Sequence, residues 1–300
     1  MKLFYADHFV LPLPEGHRFP MEKYSRLRER LAAFGRFRPG DFRVPDAASD
    51  DEILRAHDGA YLRRVVGGTL DAAEQRRIGF PWSAQMVERS RRSAGATLAA
   101  CRTALAERCG ANLAGGTHHA HRDFGSGFCV FNDAAIAALT MRAEGRVRRV
   151  AIIDCDVHQG DGTAAILADE PDVFTFSIHG AKNFPFRKAQ SDLDIELPDG
   201  TADETYLDAL RRGLDAVFER IAPNLAIYLA GADPYRDDRL GRLALSIDGL
   251  AARDALVLGE CSARQVPVAV AMAGGYAREI DDTVAIHANT VLAASRFAAR

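Results

Sequence analysis

The chain has no surplus of either charge, no paired cysteine motif and no long apolar run, and each absence narrows what it can be. Its 38 Lys and Arg are nearly balanced by 41 Asp and Glu, for a formal charge of −3, so direct binding of nucleic acid is not expected. The five cysteines, Cys101, Cys109, Cys129, Cys155 and Cys261, are odd in number and widely spaced, without a CxxC pair. That excludes a thiolate zinc site and a redox motif, and fits reduced, buried thiols in a cytoplasmic protein. After Lys2 the N-terminus meets Asp7 and His8 before any apolar run of signal-peptide length, and no later run approaches a membrane span. A cytoplasmic location without a membrane partner is the expectation. There is no internal repeat, low-complexity tract or Gly/Ser linker, so residues 1–300 read as one domain. Nothing in the sequence sets the oligomeric state.

What is present is enough apolar residue, 48% of 300 positions, to bury a large core. From about residue 148 short β-branched runs alternate with amphipathic stretches: Val150–Asp154, a helix near Thr163–Ala168, then Val173–Ile178. Further on, Leu225–Ala230 follows the helical stretch Glu204–Arg220, Val266–Ala271 follows Ile247–Ser262, and a helix from about Arg278 to Ala294 closes the chain. This predicts an α/β fold of three layers, a central parallel sheet with helices on both faces. The first third is less regular, with helices at Met21–Phe34, Asp51–Val66 and Ser83–Cys109 and a loop through Pro39 and Pro45.

In an open parallel sheet ligands bind beyond the carboxyl ends of the strands. Four polar places lie there: Gly115–His121, Asp154–Gly162, Ala230–Tyr235 and Ala273–Tyr276. On an extended strand Asp154, Asp156 and His158, at alternate positions, share one face, and two carboxylates beneath an apolar strand call for a cation or donors. A solvated turn is the simpler reading, but Gly160 and Gly162 flank Asp161 as though the chain must turn close to a site, and Asp233 ends a second apolar strand. Asp156, His158 and Asp233 would form an open three-ligand site suited to one catalytic zinc, with ferrous iron or manganese compatible with the carboxylates. The histidines of Gly115–His121, a surface cluster on the plain reading, could supply a general base, with Asp154 and Asp161 available to orient one. Tyr276, after Gly274 and Gly275, could either pack or donate to an oxyanion.

Together these segments resemble the histone deacetylase family from roughly Asp51 to the C-terminus. The matching stretches are DCDVHQGDGT at Asp154–Thr163, His118–His119, Gly127–Phe128–Cys129, Asn132–Asp133, Asp233 before Pro234, and Gly275–Tyr276. The resemblance implies an arginase/deacetylase-like fold and a deacylase in which Asp156, His158 and Asp233 bind zinc. It makes His119 the general base paired with Asp161, and His118, paired with Asp154, its charge-tuning neighbour. Tyr276 would polarise the substrate carbonyl. It also implies a structural potassium held by Asp154, Ser177 and backbone carbonyls including those of Asp156, His158 and Ile178, and a substrate tunnel walled by Phe128 and Phe184 beside Gly127. The loop Ser177–Pro185, the compact length and Gly115–Gly116–Thr117 look like the class IV branch and its bacterial relatives. Gly79–Phe80–Pro81–Trp82 offers none of the acidic residues with which larger members hold a substrate backbone.

The substrate implied is an acylated lysine peptide or a small acylated amine such as an acetylpolyamine. An arginase-like pair of manganese ions would need carboxylates where this chain has Gly160, Gly231 and Tyr235. A non-catalytic sensor of acylated ligands on the same fold would not require His119 and Tyr276 beside a full ligand set.

Overall fold

The computed structural model describes residues 1–298. In chain order its elements are β1 (Lys2–Phe4), α1 (Glu22–Ala33), β2 (Phe42–Arg43), α2 (Asp50–Ile53), α3 (Gly59–Gly67), α4 (Ala72–Ile78), α5 (Ala84–Glu107), β3 (Cys109–Asn112) and α6 (Asp133–Ala143). There follow β4 (Val150–Asp154), α7 (Asp161–Leu167), β5 (Val173–Gly180), β6 (Leu193–Leu197), α8 (Asp203–Arg220), β7 (Leu225–Leu229), α9 (Ile247–Ala263), β8 (Val268–Ala271) and α10 (Ile280–Ala298). All eight strands pair in parallel, in the order β2-β1-β3-β8-β7-β4-β5-β6.

Strand alternation divides the core into two. Ala151 and Ile153 of β4, Ala226 and Tyr228 of β7, and Val268 and Val270 of β8 point to one face, where they meet Leu27 of α1, Leu214 of α8, Val257 of α9 and Val291 of α10. Their neighbours Val150, Ile152, Leu225, Ile227, Leu229 and Ala269 point to the other, against Leu98 of α5, Ile136 of α6 and Ile166 of α7. Central strands are therefore apolar on both sides, the pattern of a sheet covered on both faces. This is the three-layer arrangement the sequence predicts.

One departure lies at Asp51–Val66, expected as one helix and found as α2 and α3. The break is caused by His57, buried with Nδ1 at 2.9 Å from the carbonyl of His121 and Nε2 accepting from the Asn132 amide at 2.9 Å. Holding that ring inside the fold takes Asp58 into extended conformation, from which α3 restarts. A second correction concerns Asp154–His158: β4 ends at Asp154, so Asp156 and His158 stand on a turn beyond the strand rather than on its face.

Candidate active site

Three strand ends deliver the acidic cluster. Asp156 and His158 follow β4, Asp233 follows β7, and Gly274 follows β8, which lies next to β7. One potential ligand atom from each of Asp156, His158 and Asp233 lies within 4.8 Å of the others, and all three residues are buried. His158 Nδ1 is 3.0 Å from Asp156 Oδ1 and 3.3 Å from Asp233 Oδ2. The remaining carboxylate oxygens accept backbone amides: Gly274 N donates to Asp156 Oδ2 at 2.7 Å, and Val157 N to Asp233 Oδ1 at 3.0 Å. Asp233 Oδ2 is buried yet accepts no hydrogen bond, which costs free energy unless a cation meets it. Burial opposes charge on His158, but Asp156 and Asp233 outweigh it and lift the imidazole to about 10. Burial beside Asp156 pushes Asp233 up to about 6. This oxygen, nitrogen, oxygen set thus demands positive charge, and its donors suit zinc.

The close approach depends on glycine. A Cβ on Gly274 would stand 1.9 Å from Asp233 Oδ2 and 2.6 Å from Asp156 Oδ2. Gly274→Ala is therefore expected to displace both carboxylates and weaken metal binding by roughly 10–100-fold, the range for a disturbed ligand support. Competition with a calibrated chelator measures it. Retention of wild-type affinity would show that the carboxylates can move without loss.

Beside the cluster the double histidine splits into two environments. His118 Nδ1 donates to Asp154 Oδ2 at 2.6 Å, and His119 Nδ1 donates to Asp161 Oδ1 at 2.6 Å, leaving each Nε2 for other work. Burial lowers both, but for His118 the charges of Asp154 and Asp156 prevail and raise it to about 9. For His119, burial and the adjacent His118 charge win over Asp161 and lower it to about 4. Although burial works to raise Asp161, hydrogen bonds from His119 and His121 hold it below the ordinary carboxylate range. Adjacent groups pushed apart in this way make one a proton acceptor and the other a proton carrier near neutrality.

These residues floor a cavity of about 860 Å³, lined also by Gly127, Phe128, Phe184 and Tyr276. The Phe184 ring centroid is 4.9 Å from that of His119, and Phe128 lies 6.0 Å from Tyr276. Gly127 sits against His119, since a Cβ there would be 2.6 Å from His119 Cδ2. Phe128 is held at φ 65°, a costly backbone for an aromatic residue and one found where a site fixes it. Burial pushes the Tyr276 phenol well above its ordinary range, so it remains a donor.

Asp154 and Ser177, both expected at a potassium site, are cross-strand partners of β4 and β5. Ser177 Oγ also lies 2.9 Å from His179 Nδ1. No carboxylate other than Asp156 and Asp233 lines the cavity among the described residues.

Two positioning residues, Asp238 and Arg253, escaped the sequence reading, and two more, Asn132 and Asp133, it matched to the family without giving them a role. Asp133 accepts the amides of Gly116 and Thr117 at 2.9 and 2.7 Å, and Asn132 Nδ2 reaches the carbonyls of His118 and Ala120 at 3.3 and 3.1 Å, so the two fix the histidine loop. Asp238 accepts the Tyr276 amide at 2.6 Å. Arg253, fully buried on α9, donates to the carbonyls of Gly231 at 2.5 Å and Cys155 at 3.4 Å, tying together the two strand ends that carry Asp156 and Asp233. The charged pair Arg253–Asp254 set in the otherwise apolar run Leu250–Leu258 of α9 was the signal available for the last.

Comparison with known proteins agrees with this geometry. The Histone deacetylase domain matches residues 17–292. An uncharacterized protein of Picosynechococcus is 44% identical over 283 residues, 94% of each chain. The histone deacetylase-like amidohydrolase of Pseudomonas aeruginosa is 31% identical over 266 residues, 82% of this chain and 68% of that one. The crystal structure of an HDAC homolog from Aquifex aeolicus superposes with a TM-score of 0.81 at 22% identity, covering 98% of this chain and 84% of that one.

Proposed function

The chain belongs to the histone deacetylase family, and from that premise we propose that it is a zinc-dependent amidohydrolase that removes acyl groups from lysine side chains or from small acylated amines. The observation that carries this reading is the buried Asp156, His158 and Asp233 cluster on the floor of a cavity that also holds His119 and Tyr276.

Asp156, His158 and Asp233 would hold one zinc, with ferrous iron as the alternative ion in the cell. Bound there, the metal would supply Lewis-acid polarisation and lower the pKa of a water. The protein's own part is proton management. His119, kept neutral and oriented by Asp161, takes a proton from the attacking water at Nε2. Tyr276 Oη donates to the substrate carbonyl oxygen as it gains charge. His118, which retains its proton, assists departure of the amine, and Asp154 holds its ring. Phe128, Phe184 and Gly127 form the narrow passage that admits an alkyl chain and excludes bulk water. A structural potassium at Asp154, Ser177 and the carbonyls of Asp156, His158 and Ile178 is supported by an oxygen-only donor set around a carboxylate that burial pushes up.

A cytoplasmic location is supported by the five unpaired, buried cysteines. No helix of the described residues is long and apolar enough to cross a membrane.

The direct test is release of acid from matched acetyl-, medium-chain- and long-chain-lysine peptides, alongside acetylated polyamines. Turnover of at least one series is expected. Tight binding of these compounds with none hydrolysed would instead favour an acyl-ligand sensor.

A further inference from the structure

The mouth of the cavity carries one sign of charge. Arg18, Arg77, Lys182, Arg239 and Arg242 line it, and all five are exposed. They arrive from separate segments: the stretch before α1, the last turn of α4, the β5–β6 connection, and the connection after β7. Among the described residues no carboxylate faces them from the lining, since Asp156 and Asp233 are buried in the ligand cluster. A chain of net charge −3 therefore presents a cationic ring at the opening of this cavity.

Local structure engages three of the five. Arg77 lies 4.7 Å from the Phe124 ring and in the last turn of α4, where a cation suits the helix dipole. Arg239 Nε donates to the carbonyl of Tyr276 at 3.1 Å, and Arg242 Nη1 pairs with Asp199 at 3.1 Å. Arg18 and Lys182 form no ion pair among the described residues, and beside them Phe186 is 88% exposed. Folding gives no reason for Arg18 and Lys182 to face the opening.

We propose that this ring selects acylated amines whose amine half carries a carboxylate at the end remote from the scissile amide, where it meets the cavity mouth, and rejects polycationic ones such as acylpolyamines and acyl-lysines in Lys-rich segments. The inference rests on the deacylase reading and narrows its substrate. Single exposed ion pairs contribute little, but like charges around a low-dielectric cleft add into a field that attracts one sign and repels the other. The screening length of about 10 Å at 0.1 M salt leaves that field felt across the mouth. The shared chemistry is a carboxylate one alkyl chain away from the amide, supplied either by an acidic peptide or by a small acylated amino acid.

Two matched comparisons test it. Nε-Acetyl-lysine and N-acetylcadaverine differ by one carboxylate, and acetyl-lysine peptides flanked by Glu or by Lys differ only in sign. For the wild-type holoenzyme kcat/KM should favour the carboxylate-bearing member by roughly 10-fold, the low end of electrostatic steering, and the preference should shrink from about 0.05 M to about 0.5 M salt. A preference confined to one comparison identifies the peptide or the small molecule as source. The Arg18→Glu/Lys182→Glu double variant should abolish or reverse the ratio. A wild-type ratio at or below unity in both comparisons, or a ratio unchanged in the double variant, overturns the proposal. Titration of both peptides onto the His119→Ala chain, in which substrate persists, separates the two readings. Preferential binding of the Glu-flanked peptide with no wild-type hydrolysis defeats the deacylase reading alone, whereas hydrolysis without preference defeats the selection alone.

Discussion

Replacing His119 by Ala is expected to lower kcat by roughly two to four orders of magnitude, the loss typical of a missing general base, while metal content stays near that of the wild type. The expectation follows from where the ring is held. Its Nδ1 is occupied by Asp161 at 2.6 Å, its proton affinity is depressed to about 4, and its ring centroid is 5.8 Å from that of His158. It therefore stands beside the ligand cluster without belonging to it. His118→Ala should cost less, because a proton carrier for the leaving amine can be replaced by water more readily than the base. Single-turnover kinetics with elemental analysis on each variant make the comparison. Loss of zinc from His119→Ala would show that a ligand had been mistaken for a base.

Tyr276→Phe is the second large effect. Losing one oxyanion donor costs roughly 2.7–4 kcal/mol, so kcat should fall by about two to three orders of magnitude. Ground-state affinity should change little, because the donor acts on charge that develops only in the transition state. The fold should survive, since the ring's contacts with Phe19 and Phe128 and the hydrogen bond from the Tyr276 amide to Asp238 do not involve the hydroxyl. Near wild-type turnover would mean that Tyr276 only fills space.

The sheet core was legible because its strands are apolar on both faces and its later helices are amphipathic; β4, β7 and α9 begin where the pattern begins them. The edge was not. β1 and β2 have three and two residues, too few to show alternation. β3 reads Cys-Gly-Ala-Asn, small residues chosen for closeness to α5: a Cβ on Gly110 would lie 2.5 Å from the carbonyl of Ala100. α6 was overlooked because eight of its eleven residues are buried, which erases the helical period.

In the site, the residues that meet in space lie on loops whose ends are set by neighbouring strands, so strand order rather than spacing unites Asp156 with Asp233. Alternation along β4 suggested the right residues through a geometry that does not occur, since the strand stops at Asp154. What sequence could not reveal was support at a distance, such as Arg253 on α9 reaching Gly231 and Cys155.

Asp156, His158 and Asp233 are proposed to hold a single catalytic zinc. Titration of zinc into chelator-stripped protein, following turnover of an acyl-lysine substrate against metal bound by elemental analysis, tests it most directly. Activity should rise in proportion to bound zinc and reach its maximum at about one equivalent per chain. A requirement for two equivalents of manganese, with zinc inert, would contradict the account and restore the two-metal alternative.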